Sequence, residues 1–351
     1  MKEFKLITRE VQQPVYLKED SLEETYSEPL LLFRTANETI ESAKLIPVPK
    51  MLLSEFWHED EICILFADTN TGKSIFGVQI ADSISKGIPI KGFKMTAKCQ
   101  KVFFFDFELS EKQFENRYSV NYENHYIFSP NFYRIEINSK CVDFLNFEQK
   151  LFQEIENAIV EHGCRILIVD NLTYLKTQTT ETSKEALPLM KLLKDLKLKY
   201  DLSILVLAHT PKRNQSSPIN INDLAGSRQL ANFTDSAFAI GQSSKDKSFR
   251  YIKQIKARAT EKMYESENVI LCMIGKTINF LGFEFIDYVN EAQHLAVIET
   301  KGKDELEEAI LSLKTEYPDI SGYAIAQRLG INKMKVKRVF ERNGINVPNE
   351  E

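Results

Sequence analysis

Short unbroken apolar runs recur through the middle of the chain, at 61–66 (EICILF), 102–107 (VFFFDF), 165–170 (RILIVD), 202–209 (LSILVLAH) and 236–240 (SAFAI). Runs of this length without polar alternation suit strands covered on both faces, as in a parallel sheet. Between them the apolar positions follow helical spacing. That pattern predicts helices over 74–85, over 147–163 with Gly163 as its C-cap, and over 183–200 with Pro188 in the first turn. Strands and helices alternating in this way imply an α/β sheet with helices on both faces. After residue 245 the texture changes, and 248–258, 268–275, 277–287 and 294–299 read as antiparallel strands closing the same domain. A polar link at 301–305 leads to three short helices at 304–315, 321–329 and 333–343. Ser321 and Asn332 are their N-caps, and Gly330 sits in the turn between the last two. The expected organisation is an N-terminal arm over 1–45, an α/β domain over 46–300 and a small all-α domain over 301–351.

Composition narrows the classes. With 351 residues, 43% hydrophobic and 27% charged, the chain can bury a sizeable core in about two domains. A net charge of −5 means that any nucleic-acid contact must come from local basic patches and not from the overall field. The five cysteines, Cys63, Cys99, Cys141, Cys164 and Cys272, are odd in number, scattered and never paired as C-x-x-C, which argues against a disulfide framework and against a zinc site. There is no apolar leader at the N-terminus and no apolar run near the roughly 20 residues of a membrane span. The expectation is a reduced, cytoplasmic protein without a membrane partner.

The stretch ADTNTGKS, Ala67-Asp68-Thr69-Asn70-Thr71-Gly72-Lys73-Ser74, follows one of the apolar runs and opens a helix. It matches a phosphate-binding loop except at Ala67, where glycine is usual. In such a loop, backbone N–H groups converge on an anion at a helix N-terminus. Gly72 permits the tight curl, Lys73 reaches the phosphate oxygens, and the Ser74 hydroxyl serves Mg²⁺. Asn70 tolerates left-handed geometry. The implied ligands are ATP and Mg²⁺.

Further acids and a histidine fall at strand ends. Asp170 closes RILIVD, where a carboxylate holds the Mg²⁺ shell opposite the lysine. Alternation along VFFFDFELS puts Asp106 and Glu108 on one face, with Phe105 and Phe107 on the other. Glu108 lies nearer the C-terminal end of that strand, where ligands bind in open α/β sheets, and is the expected general base. Asp106 reads equally as a supporting acid of the site or as a partnered structural one. His209, ending LSILVLAH, reads equally as a sensor of the terminal phosphate or as a structural histidine. The long polar segment after it carries Lys212, Arg213 and Arg228, either as a solvated linker or as a contact to a nucleic-acid backbone.

In order, the phosphate loop, FDFE, LIVDN, LVLAH, DLAGSRQLANFTDSAFAI and IKQIKAR resemble the RecA-fold ATPases over roughly residues 45–290. The likeness is greatest to the branch holding the RepA-type hexameric plasmid helicases and the DnaB-type helicase motor. The resemblance implies a RecA-like, mostly parallel sheet with flanking helices. It also implies a catalytic base at Glu108 and a γ-phosphate sensor at His209. Lys256 and Arg258 become a Lys-x-Arg finger reaching into a neighbouring subunit's site, so that the active form is a homo-oligomeric ring acting on single-stranded DNA. Ala67 departs from the family pattern, and the C-terminal segment is one that the compact plasmid helicases do not need.

That segment, 321–345, has helix-turn-helix spacing, with Ala324, Ile325, Leu329, Ile331, Val336 and Val339 as a small core. Its last helix carries Lys333, Lys335, Lys337, Arg338 and Arg342, a basic set suited to duplex DNA. A helical bundle for protein contact would use the same core. Three functions are therefore in view: a DNA-acting ATPase of helicase type serving replication or mobilisation of a plasmid or similar element, a nucleotide-switched DNA-binding regulator with little hydrolysis, and a filament-forming strand-exchange protein.

Overall fold

The computed structural model describes residues 31–138, 140, 147–171, 186–210, 213–224, 227–296 and 301–345, with backbone alone at 186–189, 227–229 and 301–304. The chain divides into two units, Met1–Val48 and Pro49–Glu351. The described part of the first unit contains α1 (Ala36–Ala43), opened by a capping box between Thr35 and Glu38 and burying no residue.

The second unit is built on a nine-stranded sheet among the described residues. Its parallel part runs β10 (Ser236–Gln242), β3 (Ile62–Ala67), β9 (Ser203–His209), β8 (Ile166–Asp170), β4 (Val102–Asp106) and β7 (Phe132–Ile135). β11 (Phe249–Lys256), β12 (Val269–Thr277) and β13 (Phe280–Val289) add to β10 as antiparallel strands. The five apolar runs are all strands of the parallel part, and three of the late stretches are strands of the antiparallel part. Of the fourth, residues 297–299 lie outside the described set; His294 closes a 3₁₀ turn, Glu291–His294, in which Asn290 accepts from Ala292 N–H.

Both faces of β3 are buried, and alternation sorts its side chains. Cys63, Leu65 and Ala67 join one core with Phe76, Ile80 and Ile84 of α2 (Lys73–Lys86). Ile62, Ile64 and Phe66 join another with Phe152 and Ile155 of α4 (Phe147–His162) and Met190 and Leu193 of α5 (Ala186–Tyr200). Two cores on one sheet explain why these strands read as continuous apolar runs. Removing one methylene from the second core by Ile64→Val is expected to cost about 1 kcal/mol, read as a lower urea midpoint at unchanged m-value.

Alternation fails at one place that matters. β4 ends at Asp106, and the chain then turns, so Glu108 does not share a strand face with Asp106. Phe107 N–H donates to Asp170 O at 3.0 Å as the chain leaves the sheet. Ser110 then caps α3 (Glu111–Arg117) in a capping box with Gln113. The remaining strands of this unit are short: β1 (Met51–Leu53) pairs with β2 (Trp57–His58), and β5 (Ser119–Val120) with β6 (Asn124–His125).

The three C-terminal helices are α7 (Lys301–Glu316), α8 (Gly322–Arg328) and α9 (Lys333–Arg342), after α6 (Ser227–Phe233). Ser321 and Asn332 accept from the N–H groups of Ala324 and Met334, as N-caps do, and Gly330 has a φ of 63°. Ile310, Ile325, Ala326, Val336, Val339 and Phe340 form their core. Ile310 and Phe340 take part where Ala324 was expected, because α7 packs against the other two helices. No helix among the described residues is long and apolar enough to cross a membrane.

Candidate functional site

β3, β9, β8 and β4 are neighbours, and their C-terminal ends converge on the phosphate loop. Ala67 is buried at the end of β3, and Asn70 takes a φ of 62° and Gly72 a φ of 99°. At Gly72 a side chain would also meet Ile274 Cδ1 at 2.7 Å and the Phe283 ring at 3.1 Å, so the antiparallel hairpin packs directly against the loop. From β11, Arg250 Nε donates to Thr71 O at 2.9 Å. The loop is therefore gripped from behind by residues the local motif does not contain.

Lys73 folds back into the loop. Its Nζ donates to Ala67 O at 3.1 Å and Asp68 O at 3.3 Å and lies 3.0 Å from His209 Nδ1. An ammonium has only donors, which assigns Nδ1 of His209 as acceptor and puts the ring proton on Nε2. Burial and the adjacent Lys73 hold His209 below the ordinary imidazole range, against a pull upward from Glu108, so it is neutral at pH 7. Burial likewise lowers Lys73, opposed by Asp170, Glu108 and Asp68.

Asn171 joins at the carboxylate. Its Nδ2 donates in a short hydrogen bond to Glu108 Oε1, and the Nε2–H of His209 faces the same oxygen at 3.6 Å; Asn171 Nδ2 lies alongside that nitrogen at 3.1 Å, donor beside donor, with no hydrogen bond between the two. Lys73, His209, Asn171 and Glu108 thus form one polar network across the ends of four strands. Glu108 is exposed to solvent and so can meet water, as a base must.

Asp106 has a different place. It is buried, its Oδ2 accepts from Arg134 Nε at 2.8 Å, and its Oδ1 accepts from the N–H groups of Glu108 at 3.2 Å and Leu109 at 3.0 Å. Of its two sequence readings, the partnered structural acid is the one observed: Asp106 shapes the turn that carries Glu108. Its partner, Arg134, comes from β7.

Asp170 is buried, and its Oδ2 has no hydrogen-bond partner. Burial raises its pKa to about 7, moderated by a hydrogen bond from Ser74 and by Lys73. A buried carboxylate oxygen left over beside a serine hydroxyl fits a hard divalent cation, which takes oxygen ligands. Among the described residues no group of three or more His, Cys, Asp or Glu side chains forms a metal cage. One carboxylate and one hydroxyl, completed by nucleotide oxygens and water, is how Mg²⁺ is usually held.

A family profile described as AAA domain matches residues 28–215. The chain belongs to that family. This AAA-domain family is one of P-loop ATPases, so nucleotide binding, usually with Mg²⁺, goes with membership. Among solved structures, a KaiC-like protein from the hyperthermophilic archaeon Pyrococcus horikoshii OT3 is similar at 14% identity and a TM-score of 0.44, over 65% of this chain and 90% of that one. No curated protein matches by sequence. The sheet of the AAA-domain chain is parallel over six of its nine described strands, with helices packed against it.

The other expected site residues lie apart from the network. Lys256 ends β11 and donates to Ala231 O at 2.5 Å and Thr234 O at 2.6 Å, while Arg258 lies beyond the strand, exposed, and pairs with Asp235 at 3.0 Å. The two therefore do not share a strand face in the way alternation predicts. Lys212 lies outside the described residues, as does the side chain of Arg228. Arg213 sits against the phosphate loop, its Nε 3.4 Å from Asp68 Oδ2. Lys333, Lys335, Lys337, Arg338 and Arg342 are all exposed along α9.

Sequence reading did not single out Asn171, Arg134, Arg250 or Thr210. Asn171 had a usable signal, since it directly follows Asp170. Arg250 had none, being 179 residues from the carbonyl it holds.

Proposed function

We propose that the chain is an ATP-hydrolysing motor or loader of the RecA-fold kind, acting on DNA as a homo-oligomeric ring in replication or mobilisation of a plasmid or mobile element. The observation that carries the hydrolytic part is the line from Lys73 through the His209 ring to Glu108, with Asn171 donating to the same carboxylate oxygen. It joins a phosphate-binding cation to a solvent-facing carboxylate, so the water base is tied to the group that holds the phosphate.

In this reading the loop amides from Asp68 to Ser74 and the Lys73 ammonium bind the triphosphate, while Ser74 and Asp170 would hold Mg²⁺. Bound Mg²⁺ neutralises charge on the phosphate oxygens. Glu108 orients a water and takes its proton as the oxygen bonds to the γ-phosphorus and the bond to ADP breaks. Asn171 fixes the carboxylate through one oxygen. Neutral His209 accepts from Lys73 on one nitrogen and faces Glu108 with the other, which suits it to report the occupancy of the phosphate site. Lys256 and Arg258 act across a ring interface, and Lys212, Arg213 and Arg228 belong to the segment proposed to touch single-stranded DNA.

Turnover of ATP by the whole chain is expected to rise severalfold with single-stranded DNA, read by phosphate release. Turnover indifferent to DNA removes the motor reading. It leaves the second one, a nucleotide-switched duplex-binding regulator, which the exposed basic face of α9 favours. Charge reversal at Lys335 and Arg338 separates the two parts: duplex binding is lost while ATP turnover without DNA is unchanged.

A further inference from the structure

Asp68 is an unusual occupant for a loop that binds polyanions, because it places a carboxylate among the groups that must receive phosphate. The structure shows how that charge is held. Thr210 Oγ1 donates to Asp68 Oδ1 in a short hydrogen bond, and Arg213 Nε approaches Oδ2 at 3.4 Å. The Arg213 side chain is only 5% exposed. The main-chain oxygen of the same Asp68 accepts from Lys73 Nζ at 3.3 Å. Arg213 and the phosphate-binding lysine thus meet at one residue of the loop, the first at its side chain and the second at its main chain.

We propose that Arg213 is a ligand of the terminal phosphate of a bound nucleoside triphosphate, in its own subunit, and that Asp68 is the carboxylate it leaves to make that contact. The proposal rests on the nucleotide reading of the loop and assigns Arg213 to the nucleotide instead of to DNA.

Three features support the exchange. The contact with Asp68 is long and runs through Nε, without the two-pronged geometry that makes arginine–carboxylate pairs strong. A terminal phosphate offers more charge and three oxygens, so it competes well for the guanidinium. Asp68 is not stranded when Arg213 leaves, because it keeps the Thr210 hydroxyl. The guanidinium also donates through NH1 to Ser217 O at 3.1 Å, so a shift of Arg213 is felt in the turn that follows it. Thr210 directly follows His209, whose ring lies beside Lys73, so one short segment carries two groups that respond to the same phosphate.

The competing role is charge neutralisation, in which Arg213 stays on Asp68 and only cancels its repulsion. Binding of ATPγS and ADP, with Mg²⁺, to the whole chain separates the two. For a phosphate ligand, Arg213→Ala weakens ATPγS about tenfold or more and ADP less than about twofold, since charge-assisted hydrogen bonds to the terminal phosphate are lost and those to the other phosphates are kept. Asp68→Asn tightens ATPγS by freeing the guanidinium. The double variant Asp68→Asn/Arg213→Ala stays as weak for ATPγS as Arg213→Ala. For a neutraliser, Arg213→Ala weakens both nucleotides alike and the double variant restores both, and that result overturns the proposal. Equal binding of ATPγS by Arg213→Ala and wild type overturns it as well. Arg213→Lys, which keeps the charge in the buried position, is the second variant should Arg213→Ala fail to fold; it is expected to weaken ATPγS severalfold and leave ADP unchanged. Wild type that binds neither nucleotide removes the nucleotide reading itself, an outcome distinct from loss of the ATPγS preference alone.

Discussion

Glu108→Gln lowers ATP turnover by about two to four orders of magnitude while leaving ATP affinity within a few fold, because a positioned general base contributes roughly 10²–10⁴ to rate. The geometry makes this a clean separation. The amide keeps the size of the side chain and offers one oxygen to Asn171 Nδ2, the partner of Glu108 Oε1, so the turn and its network are kept. The turn is shaped by Asp106, which receives the N–H groups of residues 108 and 109 whatever the side chain at 108. What the amide cannot do is accept a proton. Single-turnover hydrolysis alongside calorimetric binding reads the two effects separately. A variant that turns over ATP like the wild type would move the base elsewhere, and an equal loss of binding and turnover would make Glu108 a binding residue.

Lys73→Ala is expected to weaken ATP binding by roughly two to four orders of magnitude, from the loss of two charge-assisted hydrogen bonds to phosphate worth about 1.5–3 kcal/mol each. The electrostatics of the site add to the loss. Asp170, Glu108 and Asp68 all act on Lys73, and without the ammonium these carboxylates face an incoming polyanion with less compensation. The substitution also leaves His209 Nδ1 without its donor. Titration calorimetry with Mg²⁺ present measures it directly, and an affinity unchanged from wild type would take the phosphate away from this loop.

Much of the framework was legible in the chain. Five apolar runs became five neighbouring strands because each is covered on both sides, a condition that leaves its mark residue by residue. Asp170 and His209 were legible because they end such runs, Glu108 because it follows one closely, and Lys73 because it lies in a loop motif between a run and a helix. What escaped was whatever depends on distant partners. Arg250 and Arg134 reach the site from other strands of the sheet, and Asn171 meets Glu108 only once β4 and β8 lie side by side. Period-2 reasoning placed Glu108 on the face of Asp106 because nothing local says that the strand stops at Asp106; Arg134 and the turn hydrogen bonds decide that.

The brace behind the phosphate loop also sets a timetable. Thr71 O waits for Arg250, made 179 residues later, and Gly72 for Ile274 and Phe283, made later still. At about 5–20 residues per second, the ribosome needs on the order of 10–40 s to supply Arg250 alone. Throughout that interval the nascent loop lacks the wall that gives it shape, so nucleotide is expected to act as a stabilising ligand only once the hairpin carrying Ile274 and Phe283 has been made.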